Sequence, residues 1–198
     1  MILITCEYPF YAKPIQYIFK ELVVSSMNNR FGNIVRIVPI SEEYIESFHK
    51  CIKIVANERK YLGYVEPPSL ESIRDTVFSN IQSNIPQYIA VIEDRVIGWC
   101  EVLPNKGEGF THSGKIDTMG VLPGYRGQGI GKKLMGVTLS AAEKFGIERV
   151  ELLVYASNVY AISFYEKTGF VYEGTKRKAR KLDGKYNDVH IMAIFLDP

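Results

Sequence analysis

The residues with the clearest chemical potential form a glycine-rich run between a strand and a helix. The segment from Val121 to Lys132 reads VLPGYRGQGIGK, and Gly127, Gly129 and Gly131 fall where the helix begins. Glycine lets the backbone come close to a ligand, and the first N–H groups of a helix have no partners within it. The helix dipole adds partial positive charge, so this run predicts an anion site suited to a pyrophosphate.

Two cations, Arg126 and Lys132, flank the run and would strengthen such a site. A glycine-rich turn without a ligand is the alternative. It is disfavoured because glycines inside a helix cost stability and three alternate ones need a reason. The run is not a Walker A loop, since no Gly-Lys-Ser/Thr closes it. It is not a G-x-G-x-x-G fingerprint either, since its glycines repeat every second residue.

A second segment, about thirty residues downstream, reads NVYAISFYEKTGF from Asn158 to Phe170. Together the two segments resemble the GNAT superfamily of acetyltransferases. The run Arg126-Gly-Gln-Gly-Ile-Gly131 is similar to the pattern Gln/Arg-x-x-Gly-x-Gly/Ala, in the same strand–loop–helix setting. The second segment is similar to Asn-x-x-Ala-x-x-(Leu/Phe)-Tyr-x-x-x-Gly-Phe. The resemblance spans about residues 33–196 and leaves out the first 30.

The resemblance implies an N-acetyltransferase that moves the acetyl group of acetyl-CoA to a primary amine by direct attack in a ternary complex. In such proteins the strand before the loop pairs with the pantetheine arm, the loop wraps the pyrophosphate, and the asparagine bonds the arm. The cofactor-binding residues carried over are Met119, Gly120, Val121, Arg126, Gly127, Gln128, Gly129, Ile130, Gly131, Lys132, Asn158 and Tyr165.

The family also places a tyrosine beside the thioester sulfur, where it protonates the leaving thiolate, and here that residue is Tyr165. The chemistry agrees, because a phenol with a pKa of ~10 can donate to a thiolate whose conjugate acid has a pKa near ~8.5. On spacing alone a core aromatic would be the better interpretation. Asn158 before it and Gly169-Phe170 after it favour the catalytic one.

The general base stays open. Related N-terminal acetyltransferases carry a glutamate five residues before the asparagine, and that position is Leu153 here. Other members place the base at the position of Asp117, on the strand before the loop. Lys115 falls on the same face of that strand and would lower the pKa of Asp117. A water relay is therefore an equal alternative, and Glu151 is a third candidate.

Hydrophobic periodicity predicts the order β-α-α-β-β-β-α-β-α-β-β, an α/β fold with a mixed, mostly antiparallel central sheet and helices on both faces. A long charged loop joins the last two strands. Two helices follow Ser41 and Ser69, and the others cover residues 127–146 and 159–167. The strands cover residues 33–39, 87–92, 96–103, 115–121, 149–155, 170–175 and 189–196.

The first part of the chain differs from this pattern. We assign residues 1–32 to an N-terminal extension and residues 33–198 to the acetyltransferase domain. Residues 14–26 predict a helix with one apolar face, formed by Ile15, Ile18, Phe19, Leu22 and Val23. An exposed apolar stripe needs cover, so we expect this helix to dock on its own domain or on the partner in a homodimer, remote from the CoA loop.

Acceptor recognition offers two candidate regions. The run Lys176–Lys181 holds five cations in six residues. It predicts a solvated loop or, more specifically, an electrostatic funnel for an anionic acceptor or for the 3′-phosphate of CoA. Residues 58–68 contain Tyr61, Tyr64 and Glu66, and in the resembled family this connection shapes the acceptor pocket. Trp99 could line that pocket, although a lone tryptophan on a strand is more often a core residue.

Composition excludes several other classes. The chain has 198 residues, a net charge of +2 and three cysteines at unrelated spacings, which predicts reduced thiols in a cytoplasmic protein without a metal. No apolar run is long enough for a membrane span, and no signal peptide is recognisable. The net charge also argues against nucleic-acid binding. A non-catalytic acyl-CoA-binding regulatory module is the alternative function, because it would keep the loop and Asn158 but would not need Tyr165.

Overall fold

The computed structural model describes residues 25–196. In this part of the chain the apolar strands pair into one eight-stranded sheet with the order β1-β2-β3-β4-β5-β6-β8-β7. Every neighbouring pair is antiparallel except β5 and β6, which confirms the mixed, mostly antiparallel sheet. The strands are β1 (Ser25–Asn28), β2 (Ile34–Pro39), β3 (Gln87–Ile92), β4 (Arg95–Pro104), β5 (Ser113–Val121), β6 (Arg149–Tyr155), β7 (Val171–Leu182) and β8 (Lys185–Phe195).

Within the described residues, four α-helices cover the two faces of this sheet, as predicted. They are α1 (Ile45–Ala56), α2 (Leu70–Gln82), α3 (Ile130–Lys144) and α4 (Val159–Lys167). On one face, Phe48 of α1 packs edge-on against Trp99 of β4, with ring centroids 5.9 Å apart. On the opposite face, Leu134 of α3 lies against Gly98 of β4. Neighbouring residues of β4 thus point to different helix layers, as strand geometry requires.

The parallel pair β5–β6 is the feature that opens the sheet. Its register runs from Ser113↔Arg149 to Ile116↔Leu152 and stops there, although β5 continues to Val121 and β6 to Tyr155. Beyond Ile116 the two strands therefore separate. A register shift between β4 and β5 falls at the same level, between Cys100 and Val102. The fold thus forms a cleft whose closed end lies next to a β-bulge.

The first described strand corrects one prediction. Ser25 and Ser26 were predicted as the end of a helix, and Asn28 as the start of a loop, but Ser25–Asn28 is a strand paired with β2. Its burial alternates residue by residue, because the pairing edge of β2 imposes a period of two on it. The prediction for the rest of residues 14–24 lies outside the described residues, and the extension's docking mode stays a prediction.

The charged segment before the last strand corrects another. Lys176–Lys181 is part of β7, not of a loop, and β7 and β8 form a long hairpin turning at Asp183-Gly184. An outermost strand can pair its backbone on one side while long charged side chains stay in water, so high charge does not exclude it. The pairing shifts between Lys176 and Arg180, where Lys178 adopts a φ of +53°.

Three smaller differences concern helix ends and faces. Helix α3 begins at Ile130, not at Gly127, because Gly127 and Gly129 adopt left-handed conformations that belong to the preceding loop. Ile81 and Phe145 continue the apolar faces of α2 and α3 in the sequence, so burial is expected of both. Each is 38% exposed and lies at the C-terminal end of its helix.

Candidate active site

A cavity of about 550 Å³ occupies the cleft between β5 and β6. The end of β5, Met119–Val121, forms one wall, and Leu153, Val154 and Tyr155 of β6 form the other. The start of α3 and the inner side of α4 complete the lining. The structure thus brings together most of the residues that the sequence assigned to cofactor binding, since Met119, Gly120, Val121, Arg126, Gly127, Gly129, Gly131, Lys132, Asn158 and Tyr165 all border one space.

The glycine-rich loop has the geometry of an anion site. Gly127 has a φ of +72° and Gly129 a φ of +81°, conformations that residues with a Cβ rarely adopt. Gly129 is the N-cap of α3, and among residues 25–196 no side chain caps this helix. The first N–H groups of α3 are therefore available to a ligand at the cavity wall. A Cβ at Gly131 would make ordinary contacts with Met119 and Phe164, 3.5 and 3.7 Å away, so this position can take a larger side chain.

Arg126 lines the cavity, but its charge is already compensated. Its Nε donates to the carbonyl oxygen of Val121 at 2.7 Å. Its two terminal nitrogens donate to the two carboxylate oxygens of Glu58, one at 2.9 Å, and its guanidinium lies 5.0 Å from the centre of the Tyr61 ring. The predicted pyrophosphate contact of Arg126 would have to compete with Glu58.

Asn158 and Tyr165 hold opposite ends of α4. The Asn158 side chain caps the helix, with its Oδ1 accepting from the Ala161 N–H at 3.2 Å, which leaves its amide NH₂ available to a ligand. Tyr165 lies between Phe164 and Phe170, with ring centroids 5.4 and 5.7 Å away. Burial raises the pKa of Tyr165 well above its usual range, and the nearby Cys100 thiol raises it further. The phenol is therefore protonated at neutral pH.

The two side chains that are candidates for the base, Asp117 and Glu151, lie apart from this cavity. Asp117 is 41% exposed and forms an ion pair with Lys115 at 2.6 Å. It does not border the cavity. Glu151 forms an ion pair with Arg149 at 2.9 Å. Leu153 borders the cavity but has no ionisable group. The assignment of Asp117 as the base stays a prediction.

A buried polar cluster behind the closed end of the cleft was missed by the sequence reasoning. Glu101 is only 7% exposed, and its Oε1 accepts from the Thr118 hydroxyl at 2.8 Å. The Thr118 hydroxyl in turn accepts from the indole N–H of Trp99 at 3.0 Å. The available signal was that Glu101 is the one charged residue inside the apolar run VIGWCEVL.

Glu101 has an unusual ionisation. Burial raises the pKa of its carboxyl to about 7, and the charge of Asp117 adds to the rise. The hydrogen bond from Thr118 and the charge of Lys115 lower it by less. The same carboxylates act on Tyr64. Burial raises the pKa of Tyr64 to about 12, and the charges of Glu101 and then Asp117 raise it further. The connection between α1 and α2 therefore brings Tyr64 close to both acids.

The same connection is held over the cleft by the β7–β8 hairpin and by β6. The hydroxyl of Tyr155 donates to the Leu62 carbonyl oxygen at 3.1 Å. Arg59 pairs with Asp183 of the hairpin turn at 2.8 Å, and the Arg180 guanidinium lies 4.5 Å from the centre of the Tyr155 ring. Trp99 is fully buried and does not border the cavity, which confirms its interpretation as a core residue.

Other chemistries find little support in the described residues. Cys51 and Cys100 are free and buried, and burial raises the pKa of each thiol to about 12, so neither is an activated nucleophile. Within residues 25–196 no three histidine, cysteine or acidic side chains come together as a metal site. In the same part of the chain, every helix is too short or too polar to cross a bilayer.

A parallel strand pair that separates beside a glycine-opened helix defines the class of acyl-CoA-dependent acetyltransferases. The model of the acetyltransferase (GNAT) family matches residues 49–170, and the chain therefore belongs to that family. Membership makes it an N-acetyltransferase with acetyl-CoA as co-substrate.

Two curated relatives illustrate the similarity. The chain is 29% identical to N-alpha-acetyltransferase 30 of Schizosaccharomyces pombe over 136 residues, which cover 69% of this chain and 83% of that protein. It is 33% identical to a mycothiol acetyltransferase of Geodermatophilus obscurus over 85 residues, or 42% of this chain. The chain spans only 28% of the length of that second relative.

Solved structures agree on the fold. A GNAT-family acetyltransferase of Streptococcus pneumoniae superposes with a TM-score of 0.76 at 19% identity, covering 82% of this chain and 99% of that one. An acetyltransferase of Salmonella typhimurium, solved with acetyl-CoA, superposes with a TM-score of 0.77 at 14% identity, covering 83% and 95%. At these identities the likeness establishes the architecture.

Proposed function

We propose that this enzyme transfers the acetyl group of acetyl-CoA to the α-amine of an amino acid or peptide by direct attack in a ternary complex. The observation that carries the proposal is the cleft between β5 and β6. It joins a helix N-terminus suited to a pyrophosphate with a protonated tyrosine on the lining of the same cavity.

The cofactor would lie along β5. Met119, Gly120 and Val121 extend past the last pair with β6, so their backbone groups facing the cleft can pair with the amides of the pantetheine arm. The loop from Gly127 to Gly131 would hold the pyrophosphate, and the free amide NH₂ of Asn158 would donate to the arm.

Tyr165 would act as the general acid. When the amine attacks the thioester carbonyl, the C–S bond breaks and the departing sulfur needs a proton. A phenol kept neutral by burial can supply that proton, and its apolar surroundings discourage any other source. Direct attack also fits the described thiols, because neither Cys51 nor Cys100 is exposed enough to carry the acetyl group.

The α-amine is favoured as acceptor by two relatives taken together. One is the S. pombe N-alpha-acetyltransferase. The other is an L-amino acid N-acetyltransferase of Escherichia coli, 28% identical over 55% of this chain and 67% of that protein. Both names specify an amine on an α-carbon. The α-amine of a peptide has a pKa of ~8, so a sizeable fraction of it is already neutral at physiological pH.

The test is a panel of amines with detection of released CoA thiol at saturating acetyl-CoA. It should contain free amino acids, short peptides with a free N-terminus, and the same peptides with a blocked N-terminus and a free lysine. We expect turnover with the α-amines and little with the blocked peptides. Turnover only with lysine side chains would contradict the proposed acceptor.

The role of Tyr165 is tested by Tyr165→Phe, with Tyr186→Phe as the matched control, since Tyr186 is exposed on β8. We expect kcat to fall by roughly 10²-fold in the first variant and to stay unchanged in the second. Acetyl-CoA affinity, measured by calorimetry, should be similar in both. A wild-type protein that binds acetyl-CoA but turns over no amine would instead favour the regulatory-module alternative.

A further inference from the structure

The position of Glu101 relative to the cleft is fixed by the bulge between β4 and β5. Cys100 pairs with Met119 and Val102 pairs with Ile116, so Glu101 alone faces two residues of β5, Asp117 and Thr118. These are the first two residues of β5 after its pairing with β6 ends. Bulges commonly re-aim side chains beside active sites. Here the bulge aims the Thr118 hydroxyl and the Glu101 carboxyl at each other, at the closed end of the cleft.

Glu101 and Tyr165 lie on opposite sides of β4. The Cys100 side chain points to the layer of α3, where Thr138 and Tyr165 lie close to its thiol. Glu101, the next residue, points the other way, towards Asn80 of α2. A thioester at the closed end of the cleft would thus have Tyr165 on one side and the Thr118–Glu101 pair on the other.

The two hydrogen bonds of the Thr118 hydroxyl leave one of its lone pairs available. Its hydroxyl accepts from Trp99 and donates its proton to Glu101. A hydroxyl oxygen has two lone pairs and one proton, so one lone pair remains for a further donor. Thr118 itself is partly exposed, whereas Glu101 is buried. The Thr118 hydroxyl therefore offers a path for a proton from a bound amine to Glu101.

We propose that Glu101 is the proton acceptor of the acetyl transfer and that it receives the proton of the attacking amine through the Thr118 hydroxyl. This inference rests on the proposed function. Thr118 is the group that contacts the amine, and Glu101 acts through it.

The transfer moves one proton to Glu101 and one from Tyr165. The amine nitrogen forms a bond to the thioester carbonyl carbon and passes one proton to the Thr118 oxygen, while the Thr118 proton moves to a Glu101 oxygen. The C–S bond then breaks, and the thiolate takes a proton from Tyr165. Glu101 is left protonated and Tyr165 deprotonated, and exchange with solvent resets both. The products are the acetamide and CoA thiol.

A purely structural role explains the observations less well. Burying a carboxyl costs free energy unless it is paired. The cation that lowers the pKa of Glu101 is Lys115, and Lys115 is paired with Asp117. A glutamine would accept the same bond from Thr118 without that cost. An ionisable group in this place is most useful if it takes up a proton near neutral pH, as a base must.

The groups that face Glu101 from each packed element determine its titration. They are Thr118, Asp117 and Lys115 from β5, Asn80 from α2, and Tyr64 from the α1–α2 connection. Asp117 and Lys115 carry opposite charges and form an ion pair with each other.

The experiment compares Glu101→Gln, Thr118→Val and Thr118→Ser with wild type, using a short peptide with a free α-amine and saturating acetyl-CoA. Glu143→Gln, on the exposed side of α3, is the control. We expect kcat to fall by about 10²-fold in Glu101→Gln and Thr118→Val, to recover largely in Thr118→Ser, and to stay unchanged in the control. The rising limb of kcat near pH 7 should disappear in Glu101→Gln, while any limb from the acceptor amine remains.

The single tryptophan of the chain, Trp99, gives a readout that needs no acceptor. Its indole N–H donates a hydrogen bond to Thr118, which in turn donates one to Glu101. The fluorescence of Trp99 should therefore titrate near pH 7 in wild type and not in Glu101→Gln. A normal kcat in Glu101→Gln, or a retained limb near pH 7, would overturn this inference while leaving the proposed function intact. Failure of the wild-type protein to acetylate any α-amine would overturn both.

Discussion

Glu101 makes the stability of this protein depend on pH in an unusual direction. Most carboxyls have a lower pKa in the folded state than in the unfolded chain, and they stabilise the folded state at pH values above that pKa. Here burial raises the pKa from 4.5 to about 7, so the folded state holds its proton more tightly than the unfolded chain. As pH rises through this window the unfolded chain loses its proton first, and the free energy of unfolding falls. Below the window both states are protonated, and the stabilisation is fully present.

A shift of this size corresponds to about 3 kcal/mol lost between pH 4.5 and about 7.5. Replacing Glu101 by Gln removes the titration, so the free energy of unfolding of Glu101→Gln should exceed that of wild type at pH 8 and approach it at pH 5. Urea unfolding followed by circular dichroism at each pH measures the difference, with Glu143→Gln as control. Parallel pH dependences for wild type and Glu101→Gln would refute the reasoning, because they would place the pKa of Glu101 in its ordinary range.

Three further substitutions test the cleft. Gly131→Leu would project its side chain into the cavity from a helical backbone without strain, and it should lower acetyl-CoA affinity at least tenfold by calorimetry. Gly136→Leu, on the open side of the same helix, should leave the affinity unchanged. Equal affinities of the two variants would argue against the pyrophosphate site. Gly120→Ala places its Cβ 2.6 Å from a ring atom of the buried indole, so the free energy of unfolding should fall by about 1–3 kcal/mol, and an unchanged melting temperature would contradict the packing. Glu58→Gln releases Arg126 from its ion pair and should tighten acetyl-CoA binding several-fold at low salt; weaker binding would mean that Glu58 orients Arg126 for the ligand.

Local patterns predicted most of the elements well. Helix α2 follows Ser69 as predicted, and the Ser69 hydroxyl accepts from the Ser72 N–H at 3.1 Å. The polar turn at Glu93-Asp94 joins β3 to β4 in a hairpin. The glycine run also falls where its sequence placed it, because left-handed φ values and a helix start are properties of a few neighbouring residues.

The parts that the sequence could not predict depend on register between distant strands. Glu101 and Thr118 meet only because a bulge shifts β4 against β5, and Arg126 meets Glu58 across 68 positions of the chain. Neither contact leaves a periodic signal. The extension of β7 was hidden for a different reason: five cations in six residues resemble a loop, whereas a strand paired on one side tolerates them.

That strand has a consequence for how the protein behaves at high concentration. Among residues 25–196, β7 is the last strand of the sheet, and its outer backbone groups would otherwise be a template for pairing with another copy. Lysine and arginine side chains from Lys176 to Lys181, together with the irregular pairing around Lys178, repel and misalign any strand that approaches it. The cationic run is thus a guard against fibre-like association, whatever it also contributes to ligand attraction. Replacing these cations by neutral residues, except Arg180, which packs on Tyr155, would leave the cleft intact while making the folded protein prone to self-assembly along this edge.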